Sequence, residues 1–421
     1  MNELDSEVII GQLLNLGLTQ TEDETKADLI IFNTCSIRDL AERKVMGKLG
    51  LLGRKKKKAL IGVMGCMARA KKESLLKKFP HIDFVLGPNN ITDLEASIKK
   101  ALTNQKTLKT EDKYEDNLNY LIAKRNNPYK AYVSIIKGCN KFCTYCVVPH
   151  LRGRETSRPV NEILLECKAL AEKGYKEIIL LGQNVNSFGK DFISKNYLFH
   201  DLLNDIDKIN GIERIRFMTS HPIDITIELM HAIRDLPSVC EFVHFPLQAG
   251  SNRILKKMHR IYTKEEYFDK VATLKELIPN IKIGTDIIVG FPTETEDDFL
   301  QTIEAFQKIR FSLAYIFAYS KRKNTAAYRF IDDVSEDTKQ QRLQTLLSLH
   351  DQITKEDKQK EIGSIKEVLI ERLSKDSLTL KGKTRCHEKV IFKGNVDLLG
   401  TTQKIKLEKF NHQTFLGTLC S

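Results

Sequence analysis

The chain has 421 residues, 41% of them hydrophobic and 29% charged, with 67 Lys and Arg against 55 Asp and Glu for a formal net charge of +12. This suits a soluble globular protein of two or three domains, and the excess positive charge favours a polyanionic partner, although a lysine-rich solvated surface reads the same way. A membrane protein is excluded because no apolar run approaches the roughly 20 residues of a span, and "MNELDSEVII" lacks the basic-then-apolar pattern of a signal peptide, so the chain is expected to be cytoplasmic with reduced thiols.

Residues 1–102 alternate helix and strand. A helical stretch carrying Val8, Ile9, Leu13, Leu14 and Leu16 comes first. A strand at 27–34, a helix at 38–52, a strand at 59–65, a helix at 70–79, a strand at 82–87 and a helix at 91–102 follow. Apolar strands separated by helices predict an α/β fold with a parallel, doubly wound sheet. Residues 103–128 are polar and poorly periodic and read as a linker. From 129 to 356 six strands are expected, at 132–137, 177–182, 214–219, 242–247, 281–290 and 313–320, with amphipathic helices between them. Six βα units predict a partial (β/α)6 barrel whose chemistry lies at the C-terminal strand ends. A helical segment at 335–363 leads into short strands joined by turns, so residues 357–421 are expected to form a small antiparallel barrel.

The nine cysteines carry the chemistry. "KGCNKFCTYC" (137–146) places Cys139, Cys143 and Cys146 in x3, x2 spacing after the first barrel strand. A structural zinc site needs a fourth Cys or His; His150 is near but follows Pro149 on the way out of the loop. A 4Fe-4S cluster held by three cysteines leaves one iron open for a substrate or cofactor. Cys35 and Cys66 each follow a buried strand, where parallel sheets bind ligands. Each alone reads as structural, whereas two in matching positions on successive strands could share a cluster. Cys167, Cys240, Cys386 and Cys420 have no ligand spacing and read as packing residues or bystanders.

The cysteine triplet at this point of a partial barrel resembles the radical S-adenosylmethionine (SAM) superfamily. The wider stretch "GCNKFCTYCVVPHLRGRETSRP" (138–159) resembles the methylthiotransferases within it, of the type acting on N(6)-dimethylallyladenosine in tRNA. The likeness extends over nearly the whole chain through "NTCSIRDLAERKV", "LGQNVNSFG", "TSHP", "HFPLQAGSNRILKKMHR" and "TDIIVGFPTETEDDF", and the C-terminal barrel is similar to the RNA-binding TRAM domain.

The resemblance implies that Cys139, Cys143 and Cys146 hold a 4Fe-4S cluster whose open iron binds SAM. The reduced cluster would cleave SAM to methionine and a 5′-deoxyadenosyl radical. It implies SAM contacts at the strand ends, from Gln183 and Asn184 after Gly182, from Ser220 beside His221, from Gln248 and from Gly290. Gly182 and Gly290 read singly as turn residues and His221-Pro222 as a helix start, but their grouping at one barrel face favours a pocket. Tyr145 either stacks on adenine or fills the loop. Cys35 and Cys66 match two of the three cysteines of a second, auxiliary 4Fe-4S cluster tied to sulfur delivery. The third is expected after a strand preceding "MNELDS", so the sequence is expected to begin at an internal methionine or to have lost its N-terminus.

The expected reaction adds a methylthio group to C-2 of the prenylated adenosine beside the anticodon, one SAM supplying the radical and a second the methyl. Expected partners are the tRNA anticodon stem-loop and a reductant such as flavodoxin or ferredoxin, with a monomeric chain and no membrane. Threonylcarbamoyl-adenosine in tRNA and a ribosomal-protein aspartate are alternative substrates, and a non-catalytic RNA-binding iron–sulfur protein is the alternative class. Basic clusters at 53–60, 69–78, 255–260 and 378–392 are candidate RNA contacts, and each reads equally as a solvated face.

Overall fold

The structure, a computed structural model, describes residues 1–36, 39–54, 59–111, 120–194, 196–374 and 379–420. The chain folds as two compact units: Met1–Asn126 with Ile136–Phe142 and Cys146–Pro159, and Asn127–Ile135 with Cys143–Tyr145 and Val160–Ser421.

The first unit opens on the helix Asn2–Asn15, whose buried face includes Leu4, Val8 and Ile9. Four parallel strands follow, β1 (Leu29–Thr34), β2 (Leu60–Gly65), β3 (Phe84–Leu86) and β4 (Thr107–Lys109), bonded in that order. Leu49 and Leu52 of the helix Asp39–Arg54 pack on Ile61, Val63, Met67, Phe79 and Val85 in one core cluster. Helix coverage of this kind lets parallel strands be continuously apolar. Strand order runs one way through the described residues, without the reversal that marks a double winding. Strand β4 lies within the stretch read as a linker; three residues are too few to carry a period-2 signal. The remaining part of that stretch at 112–119, the start of the helix expected at 38–52, and Lys55–Lys58 of the basic cluster at 53–60 lie outside the described residues.

In the second unit the six expected strands form two parallel arcs. Strands β5 (Lys130–Ser134), β6 (Glu177–Leu181) and β7 (Arg214–Phe217) make one; β8 (Phe242–His244), β9 (Lys282–Val289) and β10 (Leu313–Ala318) make the other. A single parallel bridge, Ile215 to Val239, adjoins the gap between them. The expected 132–137 strand ends early: Ile136–Lys137 leaves β5 and pairs antiparallel with Thr156–Ser157. The intervening helices start where the sequence supplies caps. Thr263 with Glu266 and Thr295 with Asp298 form reciprocal capping boxes, which satisfy otherwise unpaired N–H groups of the first turn.

The helix Glu336–Glu361, capped by Ser335, leads to a closed barrel. Its strands are β11 (Ile365–Leu373), β12 (Thr379–Thr384), β13 (Lys389–Lys393), β14 (Thr402–Asn411) and β15 (Thr414–Leu419), in ring order β11-β12-β13-β15-β14. Val368, Ile370, Leu380, Val390, Phe392, Ile405, Leu407 and Phe415 fill it. The expected all-antiparallel pattern is corrected at one seam. The β14–β15 hairpin folds back so that β15 closes the ring beside β13, and that pair is parallel.

This barrel is anchored at the N-terminal starts of the core strands. Arg214 donates to the carbonyls of Lys383 (2.7 Å) and Glu367 (3.2 Å). Arg216 donates to those of Arg385 (2.6 Å) and Thr384 (2.7 Å), while its Nε reaches Glu177 at 2.8 Å. Arg385 returns the grip onto Glu241 and the Val239 carbonyl. Lys130 pairs with Glu371 at 2.5 Å. Burial pushes the Lys383 amine down to about 8 at this seam.

Candidate active site

The C-terminal ends of the core strands carry the expected pocket residues, each held by a different device. After β6, Gln183 is half-buried and Asn184 buried, with Asn184 Nδ2 donating to Asp224 Oδ2 at 2.8 Å. Asn186 and His221 exchange two hydrogen bonds, His221 N–H to Asn186 Oδ1 at 2.9 Å and Asn186 Nδ2 to the His221 carbonyl at 3.0 Å. That reciprocal pair locks the loop after β6 to the loop after β7. Ser220 is 4% exposed, and its Oγ finds no hydrogen-bond partner among the described residues. An orphaned buried hydroxyl is costly, so Ser220 is suited to a ligand that supplies the missing bond.

The backbone is strained at two neighbouring strand ends. Thr219 has φ +73° and Gln248 φ +74°. A β-branched residue there is a genuine outlier, and such strain concentrates at functional sites. Gln248 is pinned by its N–H to the Asp286 carbonyl (2.9 Å) and by accepting from Ile288 N–H (3.0 Å). Gly290 is built differently from expectation. Its N–H is already taken by Glu294 at 2.6 Å, so only its carbonyl remains for a ligand. A side chain there would strike Lys339, which accounts for the glycine through packing.

Tyr145 meets Phe291 edge-on with centroids 6.5 Å apart. Its loop is fixed by Thr144, whose N–H donates to the Met258 carbonyl at 3.0 Å and whose Oγ1 donates to the Lys257 carbonyl at 2.9 Å. Cys143 Sγ accepts from Arg260 Nη1 at 3.3 Å. Arg260 belonged to the basic cluster read as RNA-facing; it is buried with Leu255 and Met258, and only Lys256, Lys257 and His259 of that hexapeptide are exposed. His150 is exposed on its short helix.

In the first unit, the register of β1 and β2 sets Thr34 opposite Gly65. Cys35 and Cys66 therefore leave adjacent strands at the same level, as their sequence positions suggested. Cys66 begins the helix Cys66–Lys71 directly after Gly65, which has φ +93° and lies too close to the Thr34 carbonyl for any side chain. Gly65→Ala should cost about 1–3 kcal/mol and displace Cys66; urea unfolding would measure the first, and thiol labelling rates at Cys66 the second.

Arg152 is buried, donates to Asp5 Oδ2 at 2.7 Å and lies near enough to the Cys66 sulfur to act on its charge. Burial pushes the Cys66 thiol up, while Arg152 pulls it the other way. Asn2 Nδ2 and Ser36 Oγ are buried without a partner among the described residues. Two sulfurs at one level, a buried cation and two orphaned polar atoms fit an anionic sulfur-ligated group.

None of the nine cysteines forms a disulfide. Cys167 and Cys240 are fully packed, as expected. Among the described residues no set of three His, Cys, Asp or Glu side chains is gathered closely enough to hold a metal ion. The triplet fits a cluster by donor chemistry and not by gathered geometry: it offers three thiols in one short loop, with one of them accepting an N–H···S bond of the kind that tunes iron–sulfur centres.

Two RNA-facing expectations also shift. The Lys383 carbonyl and the Arg385 side chain, in the cluster at 378–392, are engaged by the core strands; Leu378 lies outside the described residues. Lys389 of that cluster stays exposed, and further exposed lysines, Lys404 and Lys406, alternate with the inward Ile405 and Leu407 on β14. That period-2 alternation was legible in the sequence and was overlooked.

No described helix is long and apolar enough to cross a membrane. The radical SAM superfamily profile matches residues 133–306, and that of the uncharacterized protein family UPF0004 matches residues 1–87. A tRNA-2-methylthio-N(6)-dimethylallyladenosine synthase of Protochlamydia amoebophila is 60% identical over 422 aligned positions, covering 100% of this chain and 94% of that protein. The synthase of the same name from Thermoanaerobacter pseudethanolicus is 46% identical, covering 100% of this chain and 90% of its own. Among solved structures, the radical SAM methyltransferase TsrM of Kitasatospora setae, with cobalamin and a 4Fe-4S cluster bound, superposes with a TM-score of 0.50 at 15% identity, over 68% of this chain and 61% of that one. That likeness supports the fold alone. By its full-length identity, the chain belongs to the tRNA-2-methylthio-N(6)-dimethylallyladenosine synthase family of the radical SAM superfamily.

Proposed function

We propose that this protein is a radical SAM methylthiotransferase that adds a methylthio group to C-2 of N(6)-dimethylallyladenosine beside the tRNA anticodon. The observation that carries the reading is 60% identity, along the whole chain, to a synthase bearing that name. Cys139, Cys143 and Cys146 would hold a 4Fe-4S cluster, which together with SAM would supply hydrogen-abstracting radical chemistry. Asn184, held by Asp224, and Gln248, held by β9, would orient SAM, and Ser220 would use its unpartnered hydroxyl on it. Cys35 and Cys66 would ligate the auxiliary cluster, with Arg152 near the Cys66 sulfur. A reductant such as flavodoxin or ferredoxin would supply the electron, and the protein would act as a cytoplasmic monomer.

Residues 357–421 would hold the tRNA through phosphate contacts from Lys404 and Lys406. Such contacts carry affinity without sequence information. The double variant Lys404→Glu, Lys406→Glu should weaken anticodon stem-loop binding and flatten its salt dependence, read by filter binding across salt concentrations.

The decisive experiment is nucleoside mass spectrometry of tRNA from a strain lacking the gene. The methylthio derivative should vanish and N(6)-dimethylallyladenosine accumulate, with plasmid rescue restoring the product. Persistence of the methylthio nucleoside would overturn the assignment. Selective loss from threonylcarbamoyl-adenosine would move it to that substrate.

A further inference from the structure

Arg260 lies in a segment whose sequence advertises only positive charge, yet its side chain is enclosed. It is 7% exposed, and its three nitrogens are used separately. Nε donates to the Tyr262 hydroxyl at 2.9 Å, Nη2 to the Pro246 carbonyl at 3.1 Å and Nη1 to Cys143 Sγ at 3.3 Å. Tyr262 Oη is itself within hydrogen-bond reach of the Leu247 carbonyl, at 2.9 Å, and the Pro246 carbonyl, at 3.2 Å. The ring of Tyr262 rests against His221, with centroids 5.8 Å apart. The fork is thus aimed at the sulfur by a rigid support.

Its charge has no carboxylate partner: among the described residues, none forms an ion pair with Arg260. A buried cation left uncompensated is strongly disfavoured. Carbonyls offer only partial charge. Burial pushes the Tyr262 phenol up to about 12, so it stays neutral. Of the three partners, the Cys143 sulfur is the one able to bring a full negative charge at neutral pH, as a metal-bound thiolate does.

We infer that Arg260 is a positioning residue for the radical cluster, fixing the Cys143 sulfur and balancing its negative charge so that the added electron is easier to accept. This rests on the reading of Cys143 as a cluster ligand. A reduced cluster carries one more negative charge than an oxidised one, so a nearby cation and an N–H···S bond both favour reduction.

The test is a redox titration of the full chain, reconstituted anaerobically with iron and sulfide and followed by electron paramagnetic resonance. Arg260→Met keeps the apolar stem and removes charge and donors. With cluster loading equal to the parent, its reduced-to-oxidised ratio at a fixed potential should fall about tenfold, which is 59 mV for a one-electron couple. Arg260→Lys, which keeps the charge but loses the fork, and Tyr262→Phe, which releases Nε, should each shift in the same direction by less. A loaded Arg260→Met with an unchanged midpoint overturns the inference. Where Arg260→Met does not fold by circular dichroism, unchanged midpoints in both Arg260→Lys and Tyr262→Phe overturn it. Iron content in Cys143→Ala equal to the parent would instead refute the ligand reading beneath it.

Discussion

Replacing Cys143 by alanine should abolish 5′-deoxyadenosine formation while leaving the fold intact. Cys143 is half-buried in a loop, so losing its sulfur opens no core cavity; it does take from buried Arg260 its sulfur partner, so the thermal transition should fall while circular dichroism keeps the native spectrum. The chemistry has no substitute. Removal of an outer-shell partner costs about 10–100-fold in metal affinity or activity, and removal of one of three sulfur ligands should exceed that. Cys139→Ala and Cys146→Ala should behave alike. Cys35→Ala and Cys66→Ala should differ in kind, retaining SAM cleavage but losing methylthio product. Chromatography of quenched anaerobic reactions separates the two outcomes. Cleavage retained in a triplet variant would refute the ligand assignment.

The second large effect lies at the other end of the strands. Glu177→Ala should destabilise the protein by about 3–5 kcal/mol, the usual result of breaking a buried ion pair from one side. Glu177 and Arg216 have side chains 1% and 3% exposed. Removing the carboxylate leaves Arg216 buried, with the Arg214 guanidinium close by. Equilibrium urea unfolding measures the loss, and the double variant Glu177→Leu, Arg216→Met should recover much of it. Burial alone would raise the Glu177 carboxyl, but Arg216 outweighs it and the net direction is down from 4.5. The native state therefore binds this proton more weakly than the unfolded chain. The stabilisation is complete above pH 4.5 and is lost as the pH falls below it; Glu177→Ala should flatten that acid limb.

Much of this was written in the sequence, for local reasons. The run "ALIGVMG" announces a buried strand because parallel strands are apolar on both faces; "DLIIFNT" also forms its strand, but one that is half-buried except at Thr34, and Cys35 and Cys66 follow the two runs directly. The triplet is legible because all its ligands sit in one loop. Arg260 was misread because its partner, Cys143, is 117 residues away, and no local pattern separates a buried arginine from a solvated one. Arg152 and Asp5 are 147 residues apart and were missed for the same reason. The engagement of the Gly290 N–H by Glu294 was hidden because the sequence shows which residue is a glycine, not which backbone groups are already spoken for.

The arginine clamp on the C-terminal barrel has a geometric consequence for substrate choice. Arg214 and Arg216 hold that barrel by main-chain carbonyls at the beginning of the core strands, whereas Gln183, Ser220 and Gln248 lie past their far ends. A five-residue strand such as β6 is roughly 17 Å long, so the handle and the pocket stand apart by a distance that packing has fixed. A polynucleotide held, as proposed, by Lys404 and Lys406 would have to span that gap to reach the pocket. A free nucleoside can fill the pocket but cannot touch the handle at the same moment. On the proposed function, the fold would act as a caliper that measures its substrate before any base is read.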